Sequence, residues 1–221
     1  MADALREALE DRNLVIVVGA GITQYSTMEE NRPLDRFRWD GLVKHGLSHY
    51  RNHIEREAGE YKSQRVEEAN TFLAQGDMPS AGGILTELLN EVGQWTIWLE
   101  YTFANLEKEV RYPAILDSLK RLNQRGAILV TTNYDDLLEH WCGLTPVDAS
   151  NIANIRMWEA SGQRAGVFHP HGHFRSPDTV VFDNDQYEAV VKNDEIQLLL
   201  RSFFSTRVSL FPFYYRCISG V

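Results

Sequence analysis

Three short polar clusters hold the residue types that could do chemistry in this chain. The first, Gly-Ala-Gly-Ile-Thr at 19–23, offers backbone that a ligand can approach closely and a hydroxyl for a phosphate or ribose oxygen. The second, Thr-Thr-Asn-Tyr-Asp at 131–135, supplies an amide for a water or sugar hydroxyl and a carboxylate that stabilises positive charge. The third, His-Pro-His-Gly-His at 169–173, supplies imidazoles whose ordinary pKa lies near neutrality. Each cluster therefore offers groups for polar binding or proton transfer.

Each cluster also has a purely structural explanation. A strand-to-helix turn alone can require glycine, and position 24, where a dinucleotide fingerprint places its third glycine, is Gln24. No Gly-Lys-Ser/Thr follows, so a P-loop is absent as well. Asn133 or Asp135 equally suits the N-cap of a helix that begins near residue 135. The carboxylates of Asp135, Asp136 and Glu139 also suit the positive end of that helix, so we predict no metal site there.

The three histidines of the third cluster allow two hypotheses. On an extended segment, His169, His171 and His173 would face one side and resemble metal ligands. Pro170 and Gly172 disfavour a regular strand, so the sharper interpretation takes His171 alone as a general base.

The elements around the clusters predict how they are positioned. Apolar, β-branched runs at 14–18, 127–131 and 166–168 read as strands buried on both faces, and one polar cluster follows each strand end. Strands that alternate with helices predict an α/β fold with a Rossmann-like, doubly wound parallel sheet. Ligands bind beyond the carboxyl ends of such strands. The three clusters are therefore expected to meet at one edge.

The remaining periodicity predicts mostly helix. Helical spacing appears at 3–12, through most of 39–124, and again at 184–192 and 194–205, with a short strand at 179–182. The segment 39–124 is thus a helical insertion between the first and second motif strands of a single domain, 1–221. Trp95, Trp98 and Tyr101 form a stripe that we interpret as core packing or a partner-helix face.

Composition excludes several functional classes. The 221 residues include 43% hydrophobic residues, enough for a core, and the net charge of −9 argues against a nucleic-acid partner. Two cysteines, Cys142 and Cys217, cannot form a four-thiolate zinc site and suit a reducing compartment. The sequence contains neither a secretory signal nor an apolar run long enough to span a membrane, so we expect a cytoplasmic protein with no membrane partner.

Taken together, the three clusters resemble the motifs of the sirtuin-like family. Residues 19–23 resemble its Gly-Ala-Gly-x-Ser loop with threonine for serine, 131–135 resemble its Thr-x-Asn-x-Asp motif, and 171–172 resemble its catalytic His-Gly pair. The stretches 39–42 and 180–187 are similar to the branch found in prokaryotic immunity proteins and related effectors.

The resemblance implies that NAD is the substrate. It implies a cofactor-binding role for the glycine loop and for the residues around the ribose on the nicotinamide side: Gly19, Ala20, Gly21, Thr23, Thr132, Asn133 and Asp135. The catalytic roles fall on Asn133, Asp135 and His171. The expected reaction is NAD+ glycohydrolysis, which releases nicotinamide and ADP-ribose, in stress or immune defence.

Three departures from the family define the alternatives. Too few cysteines for a zinc ribbon, and helices where a Phe-Arg-Ser stretch is expected, point away from protein deacylation and from a zinc cofactor. The C-terminal residues 208–221 lack the expected glycine loop with Asp-Pro, which predicts a truncated or altered adenosine end of the site. The alternative function is therefore a silent NAD-binding sensor or an oligomerisation module. A metal-dependent hydrolase is a further alternative, and a homo-oligomer is compatible with each of these.

Overall fold

One five-stranded sheet organises the chain. The structure, a computed structural model, describes residues 2–54, 60–151 and 166–211. All five strands found there are parallel, in the order β3-β4-β2-β1-β5. Their bounds are β1 Leu14–Val18, β2 Ile128–Thr131, β3 Thr145–Val147, β4 Gly166–Phe168 and β5 Val208–Leu210.

The first helix precedes β1, and the other helices lie between strands in sequence. Their bounds are α1 Ala2–Glu10, α2 Gly21–Ser26, α3 Trp39–Ile54, α4 Glu60–Gln75, α5 Met78–Glu91, α6 Trp95–Phe103, α7 Ala114–Gln124, α8 Leu137–Cys142, α9 Asn184–Lys192 and α10 Asp194–Thr206. The Rossmann-like α/β class predicted from the sequence is confirmed. In the described part of 39–124 the prediction of mostly helix is confirmed too.

Alternating strand residues cover both faces of the sheet. Ile16 and Leu129 pack with Leu116 and Leu119 of α7 on one face. On the other face, strand residues such as Val130 pack with the apolar side of α10. Because successive strand side chains point to opposite faces, an uninterrupted apolar run is required for a sheet that helices cover twice.

The helical segment has an apolar core of its own. Trp95 and Trp98 are buried, and both rings pack edge-on against Phe182 at centroid distances of 5.6 and 5.8 Å. The core interpretation of these two tryptophans is therefore confirmed, whereas Tyr101 is 72% exposed. Through Phe182, the helical segment supports the chain that runs beside the third polar cluster.

One strand prediction was wrong, and one strand was missed. Residues 179–182 form no strand: Thr179 ends a 3-10 turn that begins at Pro177, and the Phe182 N–H donates to the side-chain oxygen of Gln186 instead of to a strand. The sequence analysis also missed β3, which is three residues long, contains Pro146, and lies at the sheet edge, where a strand tolerates proline. Among the helices in the described ranges, none is both long and apolar enough to cross a membrane.

Candidate functional site

The three polar clusters lie side by side at the carboxyl edge of the sheet. Strand β2 pairs with β1 on one side and with β4 on the other, so the loop after β2 lies between the other two loops. The strands β2, β4 and β3 lie on one side of β1, and the chain then crosses to the other side to form β5, so the order of connection switches between β1 and β5. Such a switch point is where open α/β sheets bind ligands.

A hydrogen-bond network, here called the sheet-edge network, joins Thr23, Asn133 and Asp135. The Asn133 Nδ2 group donates to Thr23 Oγ1 over 2.9 Å, and the Thr23 hydroxyl donates to Asp135 Oδ2 over 2.7 Å. Thr23 and Asp135 are buried, whereas Asn133 is half-buried. The structure therefore brings together three residues that lie up to 112 positions apart in the sequence.

The Asp135 carboxylate has two partners of different kinds. Its Oδ1 accepts the backbone N–H of Leu137 at the start of α8 over 3.2 Å. The N-cap of α8 is Asp136, so the interpretation of Asn133 or Asp135 as the N-cap was wrong. Burial, helped by the charge of Glu139, raises the pKa of Asp135 to about 6 against the lowering effects of its two hydrogen bonds and of the charge of His169. The group is thus mostly ionised at neutral pH and becomes protonated in mild acid.

The glycine turn after β1 leaves its backbone accessible. Gly19 is not in the left-handed region, and a Cβ there would meet only Thr132 Oγ1, at an ordinary 3.4 Å. Ala20 is exposed, and Gly21 opens α2. Backbone conformation therefore does not by itself require glycine at position 19.

His171 lies in the third loop, beside the network and not hydrogen-bonded to it. Its ring is half-buried and packs edge-on against Tyr187 at 6.2 Å, and burial lowers its pKa below the ordinary value. Tyr134 connects the two loops, because its hydroxyl donates to the Val181 carbonyl over 2.6 Å while Val181 N–H donates to the His171 carbonyl. The imidazole is consequently neutral at pH 7 and can accept a proton.

Gly172, unlike Gly19, is required by the fold. Its φ is 83°, and a Cβ would lie 2.1 Å from the Thr179 carbonyl oxygen. The His-Gly pair therefore has a backbone reason for its glycine.

The three histidines do not face one side, so the interpretation of them as a metal-ligand set was wrong. A turn closed by the Gly172 N–H on the His169 carbonyl replaces the extended segment which that hypothesis needs. His169 and His173 are buried edge-to-face at 4.9 Å, while His171 packs on Tyr187. In the described ranges, no group of three or more His, Cys, Asp or Glu residues could hold a metal ion.

Sequence reasoning missed a buried pair beneath the network. His169 Nε2 lies 2.6 Å from Glu139 Oε1, and its Nδ1 lies 2.9 Å from the Asn133 carbonyl oxygen. We call His169 and Glu139 the imidazole–carboxylate pair. The sequence contained no local signal for it, because the two residues lie 30 positions apart and meet only through the pairing of β2 with β4.

One family model matches part of the chain. Residues 127–212 match the family model of the SIR2-like domain. The SIR2-like match includes Asn133, Asp135 and His171, whereas the glycine turn lies outside it. It supports a sirtuin-like family for this chain and points to an NAD-related activity.

Proposed function

We propose that this protein is an NAD+ glycohydrolase, which cleaves the bond between nicotinamide and ribose. The observation that carries the proposal is the sheet-edge network, in which Thr23, Asn133 and Asp135 converge at the carboxyl ends of β1 and β2. The SIR2-like match supports NAD as the substrate class.

The accessible backbone of Gly19, Ala20 and Gly21 would contact the NAD phosphates, with Thr132 beside it. The network would surround the ribose on the nicotinamide side. Asn133 suits this role because its Oδ1 makes no hydrogen bond to the described residues while its Nδ2 is held by Thr23. An amide fixed in this way can accept from a water or a ribose hydroxyl.

The reaction breaks the bond from ribose C1′ to the nicotinamide nitrogen, and the bonding electron pair leaves with nicotinamide as a neutral molecule. Positive charge develops on the ribose as the bond lengthens. The ionised Asp135 carboxylate would stabilise that charge, and its burial strengthens the effect because little solvent screens it.

A water molecule held by Asn133 would then bond to C1′, and His171 would take its proton. The products are nicotinamide, ADP-ribose and one proton. The lowered pKa of His171 keeps the imidazole in the neutral, accepting form at pH 7.

The test follows nicotinamide release from NAD+ by purified wild type, Asn133→Ala and His171→Ala. We expect release by wild type and a loss of roughly 10²-fold or more in kcat for each variant. Asn90→Ala and His140→Ala make the same changes at exposed positions on α5 and α8 and should retain wild-type rates. Release at the buffer rate by all five proteins would refute the proposal.

One observation favours a second candidate, an NAD-binding sensor without turnover. His171 makes no hydrogen bond to Asn133 or Asp135 and packs on Tyr187 instead. Calorimetry that shows micromolar NAD binding together with no nicotinamide release would select this candidate. The protein would then act through a surface that binds a partner or a second copy of the chain.

We further propose that the activity serves the immunity and effector branch of the family. The helical segment that occupies the position of the Phe-Arg-Ser stretch supports this branch. Expression of wild type in cells should deplete NAD, whereas His171→Ala should leave NAD at its normal level. Depletion by both proteins would contradict the assignment. Cytoplasmic location and an altered adenosine end of the site stay predictions, and residues 212–221 lie outside the described residues.

A further inference from the structure

His169 connects helix α8 to the backbone of the candidate catalytic amide. It follows β4, and Asn133 follows β2, the neighbouring strand. The imidazole is wholly buried between Glu139 Oε1 at 2.6 Å and the Asn133 carbonyl oxygen at 2.9 Å. The ring is therefore held from both sides, and one of its contacts is to the residue that carries the network amide.

The proton positions follow from the types of the two partners. A carbonyl oxygen only accepts, so Nδ1 must carry the hydrogen that reaches Asn133. The raised pKa of His169 favours a second proton on Nε2, which donates to Glu139 Oε1; the other oxygen of Glu139 is buried and has no hydrogen-bond partner among the described residues. Burial by itself lowers the pKa of His169, but the hydrogen bond and charge of Glu139, the Asn133 carbonyl and the charge of Asp135 outweigh it and raise the pKa.

The neighbouring side chains do not displace the hydrogen bonds of His169. His173 packs edge-to-face on His169, and burial followed by the charges of His169 and Arg175 lowers its pKa to about 3, against the opposite effect of Asp148. It is thus a neutral ring that supports His169 by contact. Glu139 is the carboxylate hydrogen-bonded to His169.

The Asn133 backbone is held at two points besides its side chain. Its N–H donates to Thr131 Oγ1 over 3.1 Å, and its carbonyl accepts from His169. Displacement of the Asn133 main chain away from His169 would break the second bond and tilt the Cα–Cβ bond, which would move the side-chain amide relative to Thr23. Small displacements of a positioned group have large kinetic effects, because a shift of about 1 Å can cost roughly 10²-fold in rate.

We propose that His169 is a positioning residue: its Nδ1–H fixes the Asn133 carbonyl and thereby the orientation of the Asn133 amide toward Thr23. This inference rests on the proposed function, in which that amide holds the attacking water. Glu139 acts one step further away, by holding the ring in the orientation that directs Nδ1 at Asn133.

Two substitutions of His169 separate positioning from a merely structural role. In His169→Asn the side-chain nitrogen replaces Nδ1 and can still donate to Asn133, whereas in His169→Gln it replaces Nε2 and reaches only Glu139. We expect the Asn variant to keep kcat within about threefold and the Gln variant to lose roughly tenfold or more, with KM for NAD changed less than threefold in both. Both should lose stability in urea, so rates are compared where both are folded.

Equal kcat values for the two variants, or a higher kcat for His169→Gln, would overturn the proposal. A second measurement applies even if wild type releases no nicotinamide, which would refute the proposed function alone. The side-chain amide protons of Asn133, assigned by their loss in Asn133→Ala, should exchange with solvent roughly tenfold faster in His169→Gln than in wild type or His169→Asn. Equal exchange in all three proteins would exclude positioning, whatever the activity.

Discussion

The sheet-edge network and the imidazole–carboxylate pair lie against each other and differ in what they leave available. In the network, Asn133 is half-buried, and its side-chain oxygen bonds to none of the described residues. In the pair, His169 is wholly buried and both of its nitrogens are engaged. A polar group that is accessible and unsatisfied can bind a ligand, whereas a buried and engaged group supports its neighbours.

The carboxylates of the two clusters also differ in whether they have a partner. The network contains a carboxylate, Asp135, without a cationic hydrogen-bond partner, so its burial disfavours the charged form. The pair contains a carboxylate, Glu139, bonded to an imidazole. We therefore expect substitutions in the network to affect activity more than stability and substitutions in the pair to affect stability first.

The largest expected effect is that of Asp135→Asn on activity. Loss of the charge should lower kcat for nicotinamide release by roughly 10²- to 10³-fold. The same change should raise the free energy of unfolding at pH 7 by about 1 kcal/mol, because the raised pKa marks a carboxylate that burial destabilises. The gain is limited because the new amide meets the Leu137 N–H poorly. Urea denaturation and initial rates measure the two effects. Asp136→Asn, whose carboxylate is paired with the exposed Arg175, is the matched control and should do neither. A less stable Asp135→Asn would mean that the carboxylate is structural.

Glu139→Ala should act in the opposite way. It leaves His169 buried without its carboxylate and should lower the free energy of unfolding by roughly 3 kcal/mol, as removal of one member of a buried pair does. Chemical denaturation measures the loss. Glu188→Ala, which breaks an exposed pair with Lys192, should cost well under about 1 kcal/mol. Equal losses in the two variants would remove the distinction between the two clusters.

Two glycines make the same comparison on the backbone. Gly172→Ala places an alanine in the left-handed region, and its Cβ would clash with the Thr179 carbonyl oxygen. The substitution should therefore lower the free energy of unfolding by roughly 2 kcal/mol or more. Gly19→Ala should fold with near-wild-type stability and weaken NAD binding roughly tenfold, because the methyl group occupies space beside Thr132 that a ligand would use. Thermal unfolding and calorimetry test both. A strongly destabilised Gly19→Ala would mean that the strand-to-helix turn itself requires glycine at this position.

The sheet and the network members were predictable from the sequence for a local reason. The apolar runs 14–18 and 127–131 report burial on both faces, and the strand ends then place their clusters at one edge. The pairing of Thr23 with Asp135 follows from the adjacency of β1 and β2, which the fold class implies. Residue type and position after a strand therefore indicated that Asn133 and Asp135 lie at this edge, while their catalytic roles stay a prediction.

The pair was not predictable in this way. His169 was read only as one of three alternating histidines, because alternation assumes an extended backbone, and the turn at Gly172 becomes visible only in three dimensions. The short strand β3 failed for a related reason, since three residues with a proline carry almost no periodic signal. Contacts that depend on loop conformation are thus the part that sequence periodicity does not encode.

The smallest expected effect is a pH dependence that assigns the acid limb of activity to the network. Asp135, with a pKa of about 6, and His171, with a lowered pKa, must both be deprotonated, so the higher of the two pKa values sets the limb. kcat/KM should fall about tenfold per pH unit below roughly pH 6.

The free energy of unfolding should change in the opposite direction, because the pKa of Asp135 is higher in the folded than in the unfolded chain. The destabilisation by the ionised carboxylate therefore develops as pH rises from about 4 to 6 and disappears in mild acid. Rates from pH 5 to 8 and urea midpoints from about pH 4 to 8 test the two trends. In Asp135→Asn the residual activity should lose this limb, and a limb that persists at pH 6 would assign it to another group.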